Sequence, residues 1–243
     1  MEFDWMDDML GNNDSTSDLS EAGSGFEDID PKIEPGNFFQ GRVSTEMPDQ
    51  LFGSMVGTPE NDAMYYHAQT YEDTCAIVAQ EGILKEFNIE VTESELREYA
   101  YINGLYEPTT DVPGSGGTTM DDVGELLESF GVDVHRKYDA DITDLISELT
   151  NGHKVIVGLD ASEIWYPESS FDPTNWWRAE LPDMGHAVWL TGIDVENGIV
   201  LMNDSGAPDG QMREVPIEDF LNAWEDTGNY YCATDYAPPG GVS

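Results

Sequence analysis

Two strand-like runs joined by Asn-Gly are the feature of this sequence that most restricts its fold. The first run, HAVWLTGIDV, begins at His186, and the second run, GIVLMND, ends at Asp204. Asn197-Gly198 lies between them, and this dipeptide is typical of a tight β-hairpin turn because both of its residues tolerate positive φ. In a hairpin, the start of the first strand and the end of the second lie at the same edge of the sheet. The sequence therefore predicts that His186 and Asp204 are neighbours.

Helical patterns fill most of the first half of the chain, and strand-like patterns dominate the second half. Apolar spacing predicts helices over 75–88 and 142–150, and TESE at 92–95 is a capping box that begins a helix over about 93–102. Further strands are expected in KVIVGLD and NYYCATDY, with a helix that starts at Pro216. Helices followed by an antiparallel sheet predict an α+β fold of two lobes, with a site between the lobes.

Cys75 begins the first of these helices and is a candidate nucleophile. Apolar residues follow it at helical spacing, and the segment contains no Pro: Ala76, Ala79, Ile83 and Phe87. The positive end of a helix dipole favours the thiolate, which is the nucleophilic form of cysteine. We therefore expect Cys75 to be more acidic than an ordinary thiol.

Three further residues supply what a cysteine nucleophile needs. An imidazole must take the thiol proton and later deliver it to the leaving group, and His186 can do this. A carboxylate that orients the ring and stabilises the imidazolium is the role expected for Asp204. The tetrahedral oxyanion needs donors, for which the side-chain amide of Gln69 and the backbone N–H of Cys75 are candidates.

These residues and their order resemble the papain-like cysteine peptidases, most closely the double-glycine-leader (bacteriocin-processing) peptidases. Members of that group have Gln, five residues and then Cys at the start of a helix, as Gln69 and Cys75 do here. They then have His before a hydrophobic strand and Asn-Asp at the end of the next strand, matched here by HAV at 186–188 and by Asn203-Asp204. The resemblance covers roughly residues 65 to 235.

The resemblance implies a papain-like two-lobed fold, with an N-terminal helical lobe and a C-terminal antiparallel sheet lobe, in a domain over residues 61–238. It implies a cysteine peptidase that hydrolyses a peptide or isopeptide bond of a peptide or protein substrate, with no cofactor and no metal. We expect a stand-alone form, because no transporter or ATPase segments accompany the peptidase segment in this sequence. The export role of the leader peptidases is therefore not implied.

Two other functions fit the same residues. A papain-like deamidase or acyltransferase would use the same thiol and the same acyl-enzyme, and only the acceptor would differ. In a non-catalytic acidic binding module, Cys75 would be a core residue, His186 a structural histidine and Asp204 a turn residue, as each often is when it occurs alone. The joint occurrence of these residues in this order favours catalysis.

The chain is strongly acidic, with 50 Asp and Glu against 9 Lys and Arg and a formal net charge of −41. Nucleic acids and anionic membranes attract Lys and Arg, so we expect neither as a partner. Such an excess destabilises a compact state at low salt through self-repulsion. It indicates either adaptation to a high-salt cytoplasm or attraction to basic partners, and the spread of acidic residues along the whole chain favours the first.

The sequence contains only two cysteines, Cys75 and Cys232. Two cysteines do not make a disulfide framework, and we expect Cys232 to be a small apolar residue in a terminal strand. The N-terminal segment MEFDWMDDML has neither a basic region nor a long apolar run, so we expect no signal peptide and no membrane span. A reducing cytoplasm, which suits a free thiol, is the predicted location.

Residues 1–60 form a separate acidic region that we expect to be largely disordered. The region is rich in Asp, Glu, Ser, Gly and Asn, and its first basic residue is Lys32. Five bulky apolar residues interrupt its beginning: Phe3, Trp5, Met6, Met9 and Leu10. They could form a short amphipathic helix that docks on a partner or on the catalytic domain, and a basic protein is the partner that the charge favours. A solvated tail without a docking role is the simpler interpretation.

A long connection over residues 160–184 precedes His186 and contains an unusual number of aromatic residues: Trp165, Tyr166, Phe171, Trp176 and Trp177. A connection of this length is usually functional or disordered, and its aromatic content argues against disorder. It could form a wall of the substrate cleft, with Trp176 and Trp177 as candidate substrate-binding residues. Aromatic packing over the sheet is the alternative.

Two further features are assigned no function. The segment TTDVPGSGGT is rich in glycine, but Thr follows the glycines where a phosphate-binding loop has Lys, so we expect a flexible loop. His135 lies in the short predicted strand VDVHR, and we expect it to lie at the surface, with no partner that the sequence identifies.

Overall fold

A computed structural model describes residues 55–110, 116–166 and 184–240 of the chain. Within these residues, seven strands form one antiparallel sheet in the order β2-β7-β3-β4-β5-β6, and β1 pairs with the far end of β4. The strands are β1 Met55–Gly57, β2 Val134–Lys137, β3 Val155–Asp160, β4 Gly185–Asp194, β5 Ile199–Asn203, β6 Arg213–Pro216 and β7 Tyr231–Thr234. The central strands β3 and β4 are almost completely buried, and β4 contains His186.

The predicted hairpin is present between β4 and β5. Asp194 pairs with Ile199 at its closed end, and Gly198 in the turn has a φ of +65°. At the open end, Trp189 pairs with Asn203. The beginning of β4 and the residue that follows β5 therefore lie at one edge of the sheet.

Seven α-helices are found in the described residues, together with 3₁₀ turns at Ala63–Tyr65 and Met120–Asp122. The helices are α1 Pro59–Asp62, α2 Cys75–Glu86, α3 Glu93–Asn103, α4 Glu125–Ser129, α5 Ile142–Thr150, α6 Ala161–Trp165 and α7 Ile217–Glu225. Thr92 and Glu95 form the predicted capping box at the start of α3, and α5 has the predicted bounds. The predicted helix starts at Cys75 and after Pro216 are confirmed as well.

The sheet has an apolar core on each face, because alternate residues of a strand point to opposite sides. In β4, Ala187 and Trp189 belong to the core built with α2, α3 and α4, whereas Val188 and Leu190 belong to the core built with α5, α6 and α7. The described residues thus form the predicted α+β, papain-like arrangement, with the N-terminal helices packed on an antiparallel sheet. The sheet already begins with β1, before residue 61, where we expected the domain to start.

Helix α2 lies close to β4 because Gly82 has no side chain. A Cβ atom at Gly82 would lie 2.8 Å from Cζ3 of Trp189, which is fully buried. The ring of Trp189 fills the space instead, so the helix that begins with Cys75 packs on the strand that contains His186. The close approach of these two elements positions the site described below.

A buried ion cluster joins α1, the end of α2 and the segment before β3. The Nζ atom of Lys154 lies 2.7 Å from Asp62 Oδ1 and 2.9 Å from Glu86 Oε1, and all three side chains are almost completely buried. Asn61 Nδ2 donates a hydrogen bond to Glu86 Oε1 at 2.9 Å. Burial and the charge of Asp62 raise the pKa of Glu86 to about 7, against the opposing effect of Lys154.

His135 has two partners that the sequence did not identify. Its Nδ1 atom lies 2.7 Å from Asp235 Oδ1, and its Nε2 atom lies 3.1 Å from Glu148 Oε1. Glu148 also contacts His153, with 2.6 Å between Oε2 and Nδ1. The partners come from α5 and from the segment after β7, which are distant in sequence, so the local pattern around His135 could not reveal them.

None of the helices in the described ranges is long and apolar enough to span a membrane. The longest, α2, has twelve residues, whereas a span needs about 20.

Candidate active site

His186 and Asp204 are in direct contact at the open end of the β4–β5 hairpin. His186 Nε2 lies 2.7 Å from Asp204 Oδ1, and both side chains are buried. His186 is the second residue of β4, and Asp204 directly follows β5. The contact that the Asn-Gly hairpin predicts is therefore present, and the carboxylate fixes the orientation of the ring.

Cys75 is close enough to His186 for the imidazole to change the pKa of its thiol. Against the effect of burial, the hydrogen bonding and the charge of His186 lower that pKa, and the backbone N–H groups of Ala187 and Ala76 act in the same direction. Because Nε2 of His186 is engaged with Asp204, Nδ1 is the ring nitrogen that faces the thiol. Cys75 is half-buried and forms no disulfide.

The charges of the three side chains reinforce one another. Burial raises the pKa of the Cys75 thiol, but the hydrogen bond and charge of His186 outweigh this effect, and the net pKa is lowered. Burial lowers the pKa of His186, but the charge and hydrogen bond of Asp204 outweigh it and raise the pKa. The geometry therefore favours a thiolate–imidazolium pair over a neutral thiol and imidazole.

Trp165 belongs to the site, although sequence reasoning placed it only in the long connection. Its Nε1–H group donates a hydrogen bond to Asp204 Oδ2 at 2.8 Å, and its ring centroid lies 5.6 Å from that of His186. The pairing of Leu159 with His186 brings the end of β3 to the beginning of β4. Residues that follow β3 therefore had to lie near His186, and this was the available signal.

Gln69 is hydrogen-bonded to Ser205, which follows Asp204 at the end of β5. Its backbone N–H donates to the carbonyl of Ser205 at 2.9 Å, and its Oε1 atom accepts from Ser205 Oγ at 3.0 Å. The side-chain Nε2 donates to the carbonyls of Tyr71 and Glu72, at 2.8 and 3.0 Å. Both hydrogens of the amide group are thus engaged within the loop that precedes Cys75, and a substrate oxygen would have to replace one of these carbonyls.

Glu93, the first residue of α3, anchors the same loop. Its carboxylate accepts from the backbone N–H of Thr70, at 3.0 and 3.1 Å, and from Thr74 Oγ1 at 2.5 Å. Thr74 immediately precedes Cys75, so this buried carboxylate holds both ends of the Thr70–Thr74 segment. Sequence reasoning used Glu93 only as part of a capping box, because its partners are about twenty residues away.

The candidate substrate-binding residues Trp176 and Trp177 lie outside the described residues, and their role stays a prediction. Half of the glycine-rich segment, residues 111–115, lies outside as well. In the described part of the chain, no group of three or more His, Cys, Asp or Glu side chains is arranged to hold a metal ion.

Residues 61–232 match the model of the peptidase C39-like family. The chain belongs to this family. The resemblance predicted from Gln69, Cys75, HAV at 186–188 and Asn203-Asp204 is therefore confirmed, and the chain is a cysteine peptidase by family.

Similar sequences occur in mycobacteria. Uncharacterized proteins from Mycobacterium bovis and Mycobacterium tuberculosis are each 33% identical to this chain over 217 residues, covering 76% of this chain and 87% of their own length. Their names state no activity, so they add no information on the substrate.

Solved structures that are similar to this chain include two that are described as peptidases. A protein described as a C39-like peptidase from Bacillus anthracis superimposes with a TM-score of 0.53 at 16% identity, covering 76% of this chain and all of that one. The peptidase domain of Streptococcus ComA, a bi-functional ABC transporter of a quorum sensing pathway, gives a TM-score of 0.47 at 18% identity, with 72% and 98% coverage. At such low identity the first likeness shows the fold alone, and that fold is the predicted one.

Proposed function

We propose that the protein hydrolyses peptide or isopeptide bonds through a triad of Cys75, His186 and Asp204. The observation that supports this most strongly is the 2.7 Å contact of His186 Nε2 with Asp204 Oδ1, beside a Cys75 thiol whose pKa is lowered by His186 against the effect of burial. A nucleophile, a base and a group that orients the base are the components of a triad in acyl transfer. Cys75 at a helix start and the buried Asp204 both favour the charged pair that such chemistry needs.

The reaction would proceed through a thioester. The Cys75 thiolate attacks the carbonyl carbon, a C–S bond forms, and the electron pair of the C=O bond moves to the oxygen. The carbon–nitrogen bond then breaks while His186 gives its Nδ1 proton to the leaving amine. Water attacks the resulting thioester and His186 takes the water proton. The C–S bond breaks, and Cys75 leaves again as the thiolate.

Two donors are proposed for the oxyanion. Cys75 is the first residue of α2, so its backbone N–H has no acceptor within the helix. Gln69 Nε2 would be the second donor after exchanging the carbonyl of Glu72, the longer of its two contacts, for the substrate oxygen. One such donor typically contributes about 10²–10³ to kcat.

The proposed substrate is a peptide or protein, bound in part by Trp176 and Trp177. A reducing cytoplasm is the proposed location, because it keeps the Cys75 thiol free. We propose no nucleic acid or membrane partner, given the net charge of −41.

The experiment that tests the function is digestion of a peptide library by the purified protein, with products identified by mass spectrometry. Wild type and Cys232→Ala should cleave peptides equally, whereas Cys75→Ala should lose activity by at least about 10³-fold. Cys232→Ala is a matched control, since it removes the other thiol, which is buried in β7. New amide or ester products, or glutamate formed from glutamine, would instead identify an acyltransferase or a deamidase.

A further inference from the structure

Trp165 contacts both residues that control the charge of Cys75. Its Nε1–H group donates to Oδ2 of Asp204, and its ring meets the ring of His186 edge-on, at an interplanar angle of 62°. Trp165 ends α6, and the carbonyl of the preceding Ile164 accepts a hydrogen bond from Arg213 Nη2 at 3.3 Å. The indole is thus held by an element on the opposite side of the sheet from the helix that supplies Cys75.

The carboxylate of Asp204 is fixed by donors to each of its oxygens. Oδ1 accepts from His186 Nε2 and from the backbone N–H of Gly206, at 2.7 and 3.1 Å. Among the described residues, Trp165 is the donor to Oδ2. Asp204 is fully buried, so a carboxylate oxygen that loses its donor there is destabilised as a charged group.

We propose that Trp165 is a positioning residue of this site: it holds Asp204 ionised and directed at His186, and it excludes water from the contact between them. The inference rests on the proposed function, since it assigns Trp165 a role in forming the Cys75–His186 ion pair. Trp165 touches neither the thiol nor the scissile bond, and it acts through Asp204.

Loss of the indole N–H should narrow the pH range in which the ion pair exists. An Asp204 carboxylate that has lost one hydrogen-bond donor is less stable in its ionised form. The imidazolium of His186, which this carboxylate stabilises, would then be less stable as well. The proton would then leave His186 at lower pH, and the Cys75 thiolate would form only at higher pH. The other titratable groups that face Asp204 are Tyr66 and Arg213, and neither changes in this comparison.

The test compares Trp165→Phe with wild type in the rate of Cys75 alkylation by iodoacetamide across the pH range. Phe retains the ring that covers His186 but removes the donor to Asp204. We expect the pH at which Cys75 becomes reactive to move up by about one unit, so that the rate below that pH falls about tenfold. The pKa of His186, followed by NMR of its ring protons, should fall in the same variant.

Two comparisons separate this role from a merely structural one. Trp224→Phe is the matched control, because Trp224 Nε1 donates to the carbonyl of Tyr230 at 2.8 Å in the buried core. It should lower the melting temperature without moving the pH at which Cys75 becomes reactive. In an Asp204→Asn background, Trp165→Phe should cause no further shift, because the residue through which Trp165 acts has already lost its charge.

The proposal is overturned if Trp165→Phe leaves the His186 pKa at its wild-type value, or if Trp224→Phe shifts it equally. The NMR measurement does not depend on catalysis. A His186 pKa that falls in Trp165→Phe would support the positioning role even if the protein cleaved no peptide, and the failure of the proposed function would then be recognised separately.

Discussion

The backbone of Gly206 packs directly against the ring of His186. A Cβ atom added at position 206 would lie 3.0 Å from His186 Cε1, and it would lie equally close to Cζ2 of Trp165. Gly206 also donates its backbone N–H to Asp204 Oδ1. Because position 206 has no side chain, the rings of His186 and Trp165 can both pack next to the Asp204 carboxylate. A side chain at this position would have to displace one of the two rings.

Gly206→Ala should reduce activity more than stability. The added methyl group would push the His186 ring or the Trp165 ring by a few tenths of an ångström, and we expect a loss of rate of roughly tenfold, since a misplacement of about 1 Å can cost about 10²-fold. Gly185→Ala is the matched control, because it also adds a methyl group beside His186, yet a Cβ atom there meets nothing within 4 Å. Rates of Cys75 alkylation and melting temperatures of both variants test this. Equal rates for the two variants would contradict it.

The two cysteines should react at different pH values. The pKa of Cys75 is lowered by His186 against the effect of burial, whereas burial raises the pKa of Cys232 to about 12. Cys75 should therefore be alkylated well below pH 8 in the folded protein, with Cys232 unmodified. In His186→Ala the reaction of Cys75 should need a pH above about 8.5, the ordinary thiol value. Site-resolved mass spectrometry measures both, and faster labelling of Cys232 would exclude Cys75 as the nucleophile.

The parts of this site that were predictable from sequence are those with a local signal. Helix α2 follows from apolar spacing after Cys75, and the contact of His186 with Asp204 follows from the Asn-Gly turn alone, because a hairpin fixes which strand ends meet. The α+β class follows from the order of helical and strand-like segments. Each of these inferences rests on residues in a single helix or strand, or on the order of consecutive segments along the chain.

The parts that were missed depend on contacts between distant elements. Trp165 reaches Asp204 across 39 residues, and the bond exists because β3 pairs with β4. Glu93 anchors the loop before Cys75 through partners 19 and 23 residues away. Periodicity and capping describe the chain within one helix or strand, so they place Glu93 at a helix start without indicating what its carboxylate binds.

Gln69→Ala should lower kcat with little change in KM. The oxyanion forms only in the transition state, so a donor to it contributes to kcat, by about 10²–10³. Ser205→Ala is a matched control that removes the hydroxyl bound to Gln69 Oε1 but leaves the amide nitrogen in place. Steady-state kinetics on a peptide substrate distinguishes the two. Equal losses in both variants would mean that Gln69 serves only to hold its loop.

The buried cluster of Lys154, Asp62 and Glu86 should make stability depend on pH. Burial raises the folded-state pKa of Glu86 from 4.5 to about 7, so between these values the folded state binds a proton more tightly than the unfolded state. The stabilisation is therefore fully present below about pH 4.5 and is lost as pH rises through 7. Glu86→Gln should remove this decline, a difference of roughly 1–3 kcal/mol between pH 5 and 8.

Urea unfolding of wild type and Glu86→Gln at several pH values measures that difference. The exposed Glu98 provides the control, since Glu98→Gln removes one carboxylate without touching the cluster. If the free energy of unfolding has the same pH dependence in wild type and in Glu86→Gln, Glu86 is ionised throughout.

In the same assay, Lys154→Met should lower the free energy of unfolding by about 3–5 kcal/mol, because it leaves two carboxylates buried without their cation.

The acidity of the chain should make folding depend on salt. With 50 Asp and Glu against 9 Lys and Arg, repulsion among surface carboxylates opposes the compact state when the Debye length is long. At about 1 M KCl this length falls to roughly 3 Å, so the repulsion is largely screened. If the charge reflects life in a salty cytoplasm, the melting temperature should rise steadily from low salt to molar KCl.

Sucrose at equal osmolality is the control, because it favours the burial of apolar surface without screening charges. It therefore separates the effect of screening from the effect of solvent exclusion. A rise in sucrose as large as that in KCl, or a flat curve in KCl, would instead favour an acidic surface kept for a basic protein partner.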